Sequence, residues 1–326
     1  MNDLSERQLM TRAAWFYYVA GLNQEATSRR MGLTRARVNK LLGQARDAGI
    51  VSIIINDRDL GLLHAEEAIQ REFGLDFCFT TPALGLDESQ TARNDALAAL
   101  PLKAAGTAGA LYLRSFLADH PRAIVGAGWG RTLAHLSRQM SGTNAPEARF
   151  ISLMGSLTAN SAFNPFEVVQ ALAQATGGEG YFLPVPFIAD SPEDRNVLMA
   201  QRAVARPMDL AKRADVALLS VGELTESSLL RQQGMISREE LQELRDAGAV
   251  GDTNGLFFDR DGRPVEHNLK HRTIGTGVED LAKMRTVLLS GGLQKVAATE
   301  AILRGRFVRG LIIDGDGALR LAARIA

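Results

Sequence analysis

The chain of 326 residues has one cysteine, two tryptophans and no net charge. A single thiol, Cys78, excludes an intramolecular disulfide. It sits in the apolar run Phe77–Thr81 and reads as a core residue, which suits a reducing compartment. Lys and Arg total 37 against 37 Asp and Glu, so no global field draws the chain onto polyanions. No apolar run approaches the roughly 20 residues that a membrane span needs. The N-terminal MNDLSERQ is too polar for a secretory signal. No internal repeat and no low-complexity segment is present, and no metal or cofactor is expected. The cytoplasm is the expected location.

What is present falls into two parts. Between Leu22 and Gly49 there are six basic residues (Arg29, Arg30, Arg35, Arg37, Lys40, Arg46) and two acidic ones (Glu25, Asp47). A local excess of positive charge in a neutral chain is the footprint of a phosphate-backbone contact surface. The same stretch spells two short helices around a tight turn. Gln24 to Met31 forms the first, Gly32-Leu33 the turn and Thr34 to Ala45 the second. Thr34 suits the N-cap, and Gly32 suits the left-handed residue that ends a helix. Leu33, Val38, Leu41 and Leu42 share one face of the second helix. Arg35, Arg37, Asn39 and Lys40 share the other, as a helix that reads a major groove requires. Taken alone, the pattern also fits an ordinary helical hairpin with a solvated basic face. A supporting helix is predicted over Leu9–Val19. The β-branched run Ile50–Ile55 predicts a strand, the wing of a winged helix-turn-helix. Leu62–Phe73 reads as a linker helix or as the first helix of the next domain.

From Asp76 the pattern changes. Apolar runs at Phe77–Thr81, Ala123–Gly126, Phe150–Met154, Tyr181–Leu183, Val216–Val221, Val287–Leu289 and Gly310–Ile313 alternate with helical stretches. The latter are Asn94–Ala118, Arg131–Met140, Glu167–Thr176, Pro207–Ala214, Arg238–Ala247, Lys295–Leu303 and Ala318–Ile325. Alternation of this kind predicts an α/β domain, a mostly parallel sheet with helices on both faces. Ligands bind such sheets at the carboxyl ends of the strands.

Two strand-to-helix turns there are rich in glycine. Gly126-Ala127-Gly128-Trp129-Gly130-Arg131-Thr132 offers backbone amides, a helix N-terminus and a hydroxyl to an anion. Its spacing is neither the dinucleotide fingerprint nor a Walker loop. Ser290-Gly291-Gly292-Leu293-Gln294-Lys295 repeats the arrangement, with a lysine in the first helical turn, where it opposes the helix dipole unless an anion is bound. The first also fits a plain strand-to-helix turn without ligand, and the second a solvated lysine on a surface helix. Gly155 and Asn160 follow one strand, Glu223 follows another, and Asp252 lies in a long loop with Asn254 and Asp259. Carboxylates and amides of this kind bind polyol hydroxyls, although each also reads as a turn or cap residue. Trp129 suits either stacking on a sugar face or packing.

On these blocks the chain resembles the SorC family of bacterial sugar-responsive transcriptional regulators, grouped with the deoxyribonucleoside regulator. The resemblance rests on YYVAGLNQEATSRRMGLTRARVNKLLGQARDAGIV, VGAGWGRTL, ADVALLSVGELTESSLLRQQGMIS with GAVGDTNGLFFDRDG, and VLLSGGLQKVAATEAILRGRFVRGLIID, in the family's order. It implies a sensing domain related to sugar-phosphate isomerases, sugar or sugar-phosphate effectors, and homodimers or homotetramers on palindromic operator DNA. It places Gly128, Gly130, Arg131, Thr132, Gly292 and Lys295 at the effector, with a phosphate near Thr132 and Lys295. Thr27-Ser28 departs from the family, which carries an apolar residue followed by alanine there.

The expected organisation is a helix-turn-helix domain over residues 1–56 and an effector and oligomerisation domain over 57–326. Thr34, Arg35, Arg37, Asn39, Lys40 and Gln24 would contact DNA. The expected function is a transcriptional regulator of a carbohydrate or polyol operon, with no catalytic residues. The alternative is a sugar-phosphate isomerase or a Schiff-base enzyme using Lys295, with Glu223, Asp252 or Asp259 as general base. An enzyme would have no use for the N-terminal unit.

Overall fold

The computed structural model describes residues 5–52, 60–156 and 164–326. The expected domain boundary at 56/57 and the site residue Asn160 lie outside the described residues.

The N-terminal unit is helical. Helix α1 (Glu6–Ala14) begins with a capping box between Ser5 and Gln8. It passes into a π-turn over Trp15–Val19. The helix expected over Leu9–Val19 is thus present, its second half wound as a π-turn, and Trp15 and Val19 point outward. Helix α2 (Gln24–Met31) is capped by Asn23 and ends at Gly32, whose φ is +66°. Helix α3 (Arg35–Asp47) is capped by the Thr34 hydroxyl, which accepts from the Arg37 N–H at 3.2 Å. Ala13, Val38, Leu41 and Leu42 are buried together and closed over by Leu9, Met10, Tyr17 and Leu33. The unit thus has a core of its own, built from the apolar face that the sequence shows. Thr27 is fully buried and Ser28 nearly so. Ser28 donates to the Glu25 carbonyl at 2.8 Å. The Thr27 hydroxyl has no partner. The expected strand at Ile50–Ile55 is not formed in its described part. The Ile50 and Val51 amides both donate to the Ala45 carbonyl, wrapping the end of α3, and 53–55 lie outside the described residues.

The large unit is a seven-stranded sheet, every pairing in it parallel. Its strands are β1 (Phe77–Thr80), β2 (Ile124–Ala127), β3 (Arg149–Ser152), β4 (Glu179–Tyr181), β5 (Val216–Ser220), β9 (Arg285–Ser290) and β10 (Gly310–Ile313). Their order is β1-β10-β9-β5-β2-β3-β4. Both faces are covered, and alternate residues serve opposite cores. Val216, Leu218, Val287, Leu289 and Ile312 belong to one cluster, whereas Ala217, Leu219, Leu288, Leu311 and Ile313 belong to the other. Six of the seven expected strands lie on their expected runs; the one expected at Tyr181–Leu183 lies two residues earlier, at Glu179–Tyr181. The order reverses beside β2: β3 and β4 follow on one side, and β5 lies on the other. That reversal opens a crevice at the carboxyl ends of β2 and β5.

A second sheet was not expected. Strands β6 (Gly222–Glu223), β7 (Ala249–Thr253) and β8 (Leu256–Asp259) form an antiparallel ribbon. Asp252 therefore stands on a strand, not in a long loop. The β7–β8 hairpin turns through Asn254 (φ +52°) and Gly255 (φ +74°), the Asn-Gly pair that a two-residue turn favours. Another correction concerns length. The Asp95–Asp119 helix, 25 residues with mean hydropathy 1.3, is long and apolar enough to cross a membrane. It lies instead along the Arg131–Gln139 helix. Gly106 and Gly109 make the approach close: a Cβ at Gly106 would lie 2.8 Å from the Thr132 carbonyl oxygen.

Candidate functional site

Strand β2 runs out at Ala127, and the Gly128 amide still donates to the Leu218 carbonyl of β5 at 2.9 Å. The chain then leaves the sheet. Gly130 takes φ +113° and starts the Arg131–Gln139 helix without a side-chain cap. From β5, the Ser220 hydroxyl donates to the Trp129 carbonyl at 2.6 Å, and the Thr253 hydroxyl of β7 donates to the Ser220 carbonyl at 2.8 Å. These bonds tie the glycine turn, the end of β5 and the small sheet together around a cavity.

Four titratable side chains meet there. Glu223 points one carboxylate oxygen at Arg131 (3.8 Å) and the other at Lys295 (3.7 Å). The Lys295 ammonium also donates to the Val221 carbonyl at 2.6 Å. Asp252 is almost fully buried beside Gly222, where a Cβ would lie 1.9 Å from its Oδ1. Burial, and then the Glu223 charge, push the Asp252 carboxyl up to about 7 against the pull of the Gly255 amide and Lys295. Burial also holds the Lys295 ammonium below the usual lysine range, despite Glu223. Ser228 lies in the wall with its hydroxyl buried and without a partner. A buried, unpaired hydroxyl in a cavity wall is a group that still lacks a partner.

Of the expected effector residues, Trp129, Gly130, Arg131, Glu223, Asp252 and Lys295 line this cavity. Trp129 lines the wall but is packed, 6% exposed and 6.2 Å from the Phe187 ring centre, so it offers no free stacking face. Gly128, Thr132, Gly155 and Gly292 do not line it. The Thr132 hydroxyl is buried and unpaired. The Gly292 amide is occupied by the Asp314 carboxylate at 2.7 Å. Gly155 is pressed against the Pro186 carbonyl, 2.4 Å from where its Cβ would lie. Ser228 and Ser220 are additions. The sequence motif GELTESSLL contains Ser228, but nothing in its spacing marks that serine over its neighbour Ser227.

On the N-terminal unit, Gln24, Arg35 and Asn39 form one exposed cluster across the turn. Gln24 Nε2 donates to Asn39 Oδ1 at 3.2 Å, and Arg35 Nε donates to Gln24 Oε1 at 3.4 Å. Lys40 is exposed beside Asn39. Arg37 is engaged elsewhere, in a 2.6 Å ion pair with Glu6 of α1. Thr34 is the cap already described.

Comparison with known proteins agrees with this architecture. Residues 58–323 match the family described as "Putative sugar-binding domain". The chain is 36% identical over 310 residues to the erythritol catabolism regulatory protein EryD of Brucella abortus, covering 95% of each. It is 27% identical over 320 residues to the deoxyribonucleoside regulator of Bacillus subtilis, covering 96% of each. The full-length sorbitol operon regulator SorC of Klebsiella pneumoniae superposes with a TM-score of 0.67 at 24% identity, over 98% of this chain and 100% of that one. The chain belongs to the sugar-binding-domain family of SorC/DeoR-type transcriptional regulators.

Proposed function

We propose that the protein is a cytoplasmic, homo-oligomeric regulator that binds operator DNA through residues 1–56. A sugar, polyol or sugar phosphate held by residues 57–326 would control that binding. The observation that carries this is the joint presence of two sites on one chain. One is the exposed Gln24–Arg35–Asn39 cluster at the start of α3. The other is the charged cavity at the β2/β5 crevice. Relatives support the class: they are named as regulators of erythritol catabolism and of deoxyribonucleosides.

The proposed coupling element is the Arg131–Gln139 helix. Its first residue faces Glu223 in the cavity. Its far end meets the N-terminal unit at Gly49, just beyond α3, where a Cβ would lie 2.1 Å from the Arg138 carbonyl oxygen. At about 1.5 Å per residue the helix spans roughly 13 Å. A ligand that moves Arg131 therefore acts on a rigid body whose other end touches the DNA-reading unit. In a dimer the two α3 helices must stand about 34 Å apart, or a multiple, to read successive major grooves. A small tilt is enough to cost affinity.

Gel shifts on a DNA fragment selected by the protein from a random pool test the DNA-reading half. Arg35→Ala or Asn39→Ala is expected to cost about 1–3 kcal/mol. Retention of full affinity by both variants would remove this face from the interface.

A further inference from the structure

Resting on the proposed carbohydrate site, we infer that the cavity takes an unphosphorylated polyol or open-chain sugar, and that Glu223 acts as its selectivity residue against phosphorylated ligands. A phosphate-binding site needs cations whose charge is still available. Here both cations of the cavity face an internal anion. One oxygen of Glu223 addresses Arg131 and the other addresses Lys295, at 3.8 and 3.7 Å. Glu223 thus stands in the position between the two cations that a bridging phosphoryl group would take. The Lys295 ammonium is further committed to the Val221 carbonyl. A second carboxyl, Asp252, lies behind Gly222 in the same wall. A phosphate entering this space would meet like charge in a partly dehydrated setting.

The same groups suit neutral hydroxyls. A carboxylate has about four lone-pair sites. Two cations leave Glu223 with acceptors to spare for neighbouring hydroxyls. The Ser228 hydroxyl, buried and without a partner, can donate to one ligand oxygen or accept from another. The amide of Gly292, which the second glycine turn would offer to an anion, is filled by Asp314. The Arg131–Gln139 helix starts without a side-chain cap, but its own Arg131 is held toward Glu223.

Calorimetric titration and thermal melts of the full chain test this, with alditols from erythritol to sorbitol, their terminal monophosphates and inorganic phosphate as probes. At least one alditol is expected to bind and raise the melting temperature. Its monophosphate is expected to bind on the order of tenfold or more weaker, as like-charge juxtaposition requires. Glu223→Gln is expected to narrow or invert that order by strengthening monophosphate binding, which a purely structural role would not do. Ser228→Ala is expected to weaken the alditol by about tenfold. A monophosphate that binds the unaltered chain as tightly as its parent alditol, or more tightly, overturns the inference while leaving the carbohydrate site standing. Binding of neither class overturns both.

Discussion

At the scale of single residues, two buried polar groups carry testable energetics. Thr27 sits in the interior of the N-terminal unit with an unsatisfied hydroxyl. Thr27→Val removes that hydroxyl without changing side-chain shape and is expected to stabilise the fold by about 1 kcal/mol, measured by urea denaturation. The sequence marks Thr27-Ser28 as a departure from the apolar residue and alanine expected there, but it does not show which of the two is satisfied. Asp252 has its folded-state carboxyl raised from 3.8 to about 7. Between those values the unfolded carboxyl is ionised while the folded one keeps its proton. Folding then takes up a proton, so rising pH removes stability at up to roughly 1.4 kcal/mol per pH unit. Above about 7 both states are ionised and the loss stops. Denaturation of the unaltered chain and Asp252→Asn from pH 5 to 8 should show the variant gaining relative stability up to neutrality and then levelling off. A gap independent of pH would mean that Asp252 is ionised throughout. Arg37 illustrates what sequence alone misses. Helical periodicity places it beside Arg35 and Asn39, but its partner Glu6 lies on another helix, 31 residues away. Arg37→Ala is therefore expected to cost DNA affinity less than Arg35→Ala, and to cost stability by about 0–1 kcal/mol, as exposed ion pairs do.

At the scale of elements, the central strands of the parallel sheet were legible because each is a short apolar run buried on both faces, whereas the edge strand β4, Glu-Gly-Tyr and largely exposed, was read two residues too late. The small sheet was not, because β6 is two residues long and β7 carries Gly251 and Asp252 in place of alternating apolar residues. The Asn254-Gly255 pair at its tip was the available signal. Missing that hairpin also hid why Asp252, Glu223 and Lys295 converge: β6 and β7 pair directly, with Gly222 opposite Asp252. The carboxylate can only lie there because residue 222 has no side chain. Gly222→Ala is expected to displace Asp252, weaken ligand binding and leave α1–α3 unaffected in the same protein, as read by calorimetry alongside DNA binding without ligand. The contact at Gly49 has a similar character. Its φ of +66° and the nearby Arg138 carbonyl both exclude a Cβ. Gly49→Ala is expected to cost about 1–3 kcal/mol and to reduce the effect of ligand on DNA affinity. Unchanged coupling in that variant would show that the Arg131–Gln139 helix does not transmit the signal.

At the scale of the whole molecule, the chain joins a small helical unit with its own core to a sheet whose strand order opens one crevice. Which strands border that crevice depends on the order in which they assemble, and periodicity does not encode that order. The glycine turn after β2 could be read from sequence as an anion cradle. Only the fold shows that Glu223 reaches both cations first. If occupancy of the cavity controls DNA binding, linkage requires that DNA and ligand change each other's affinity by the same factor. The most direct measurement is fluorescence anisotropy of a selected DNA fragment, titrated with the full chain with and without the alditol that gives the largest melting shift. We predict that saturating alditol changes DNA affinity by about 5–150-fold and that Glu223→Gln or Ser228→Ala shifts the alditol concentration needed. An identical DNA affinity with the cavity empty and filled would contradict the account.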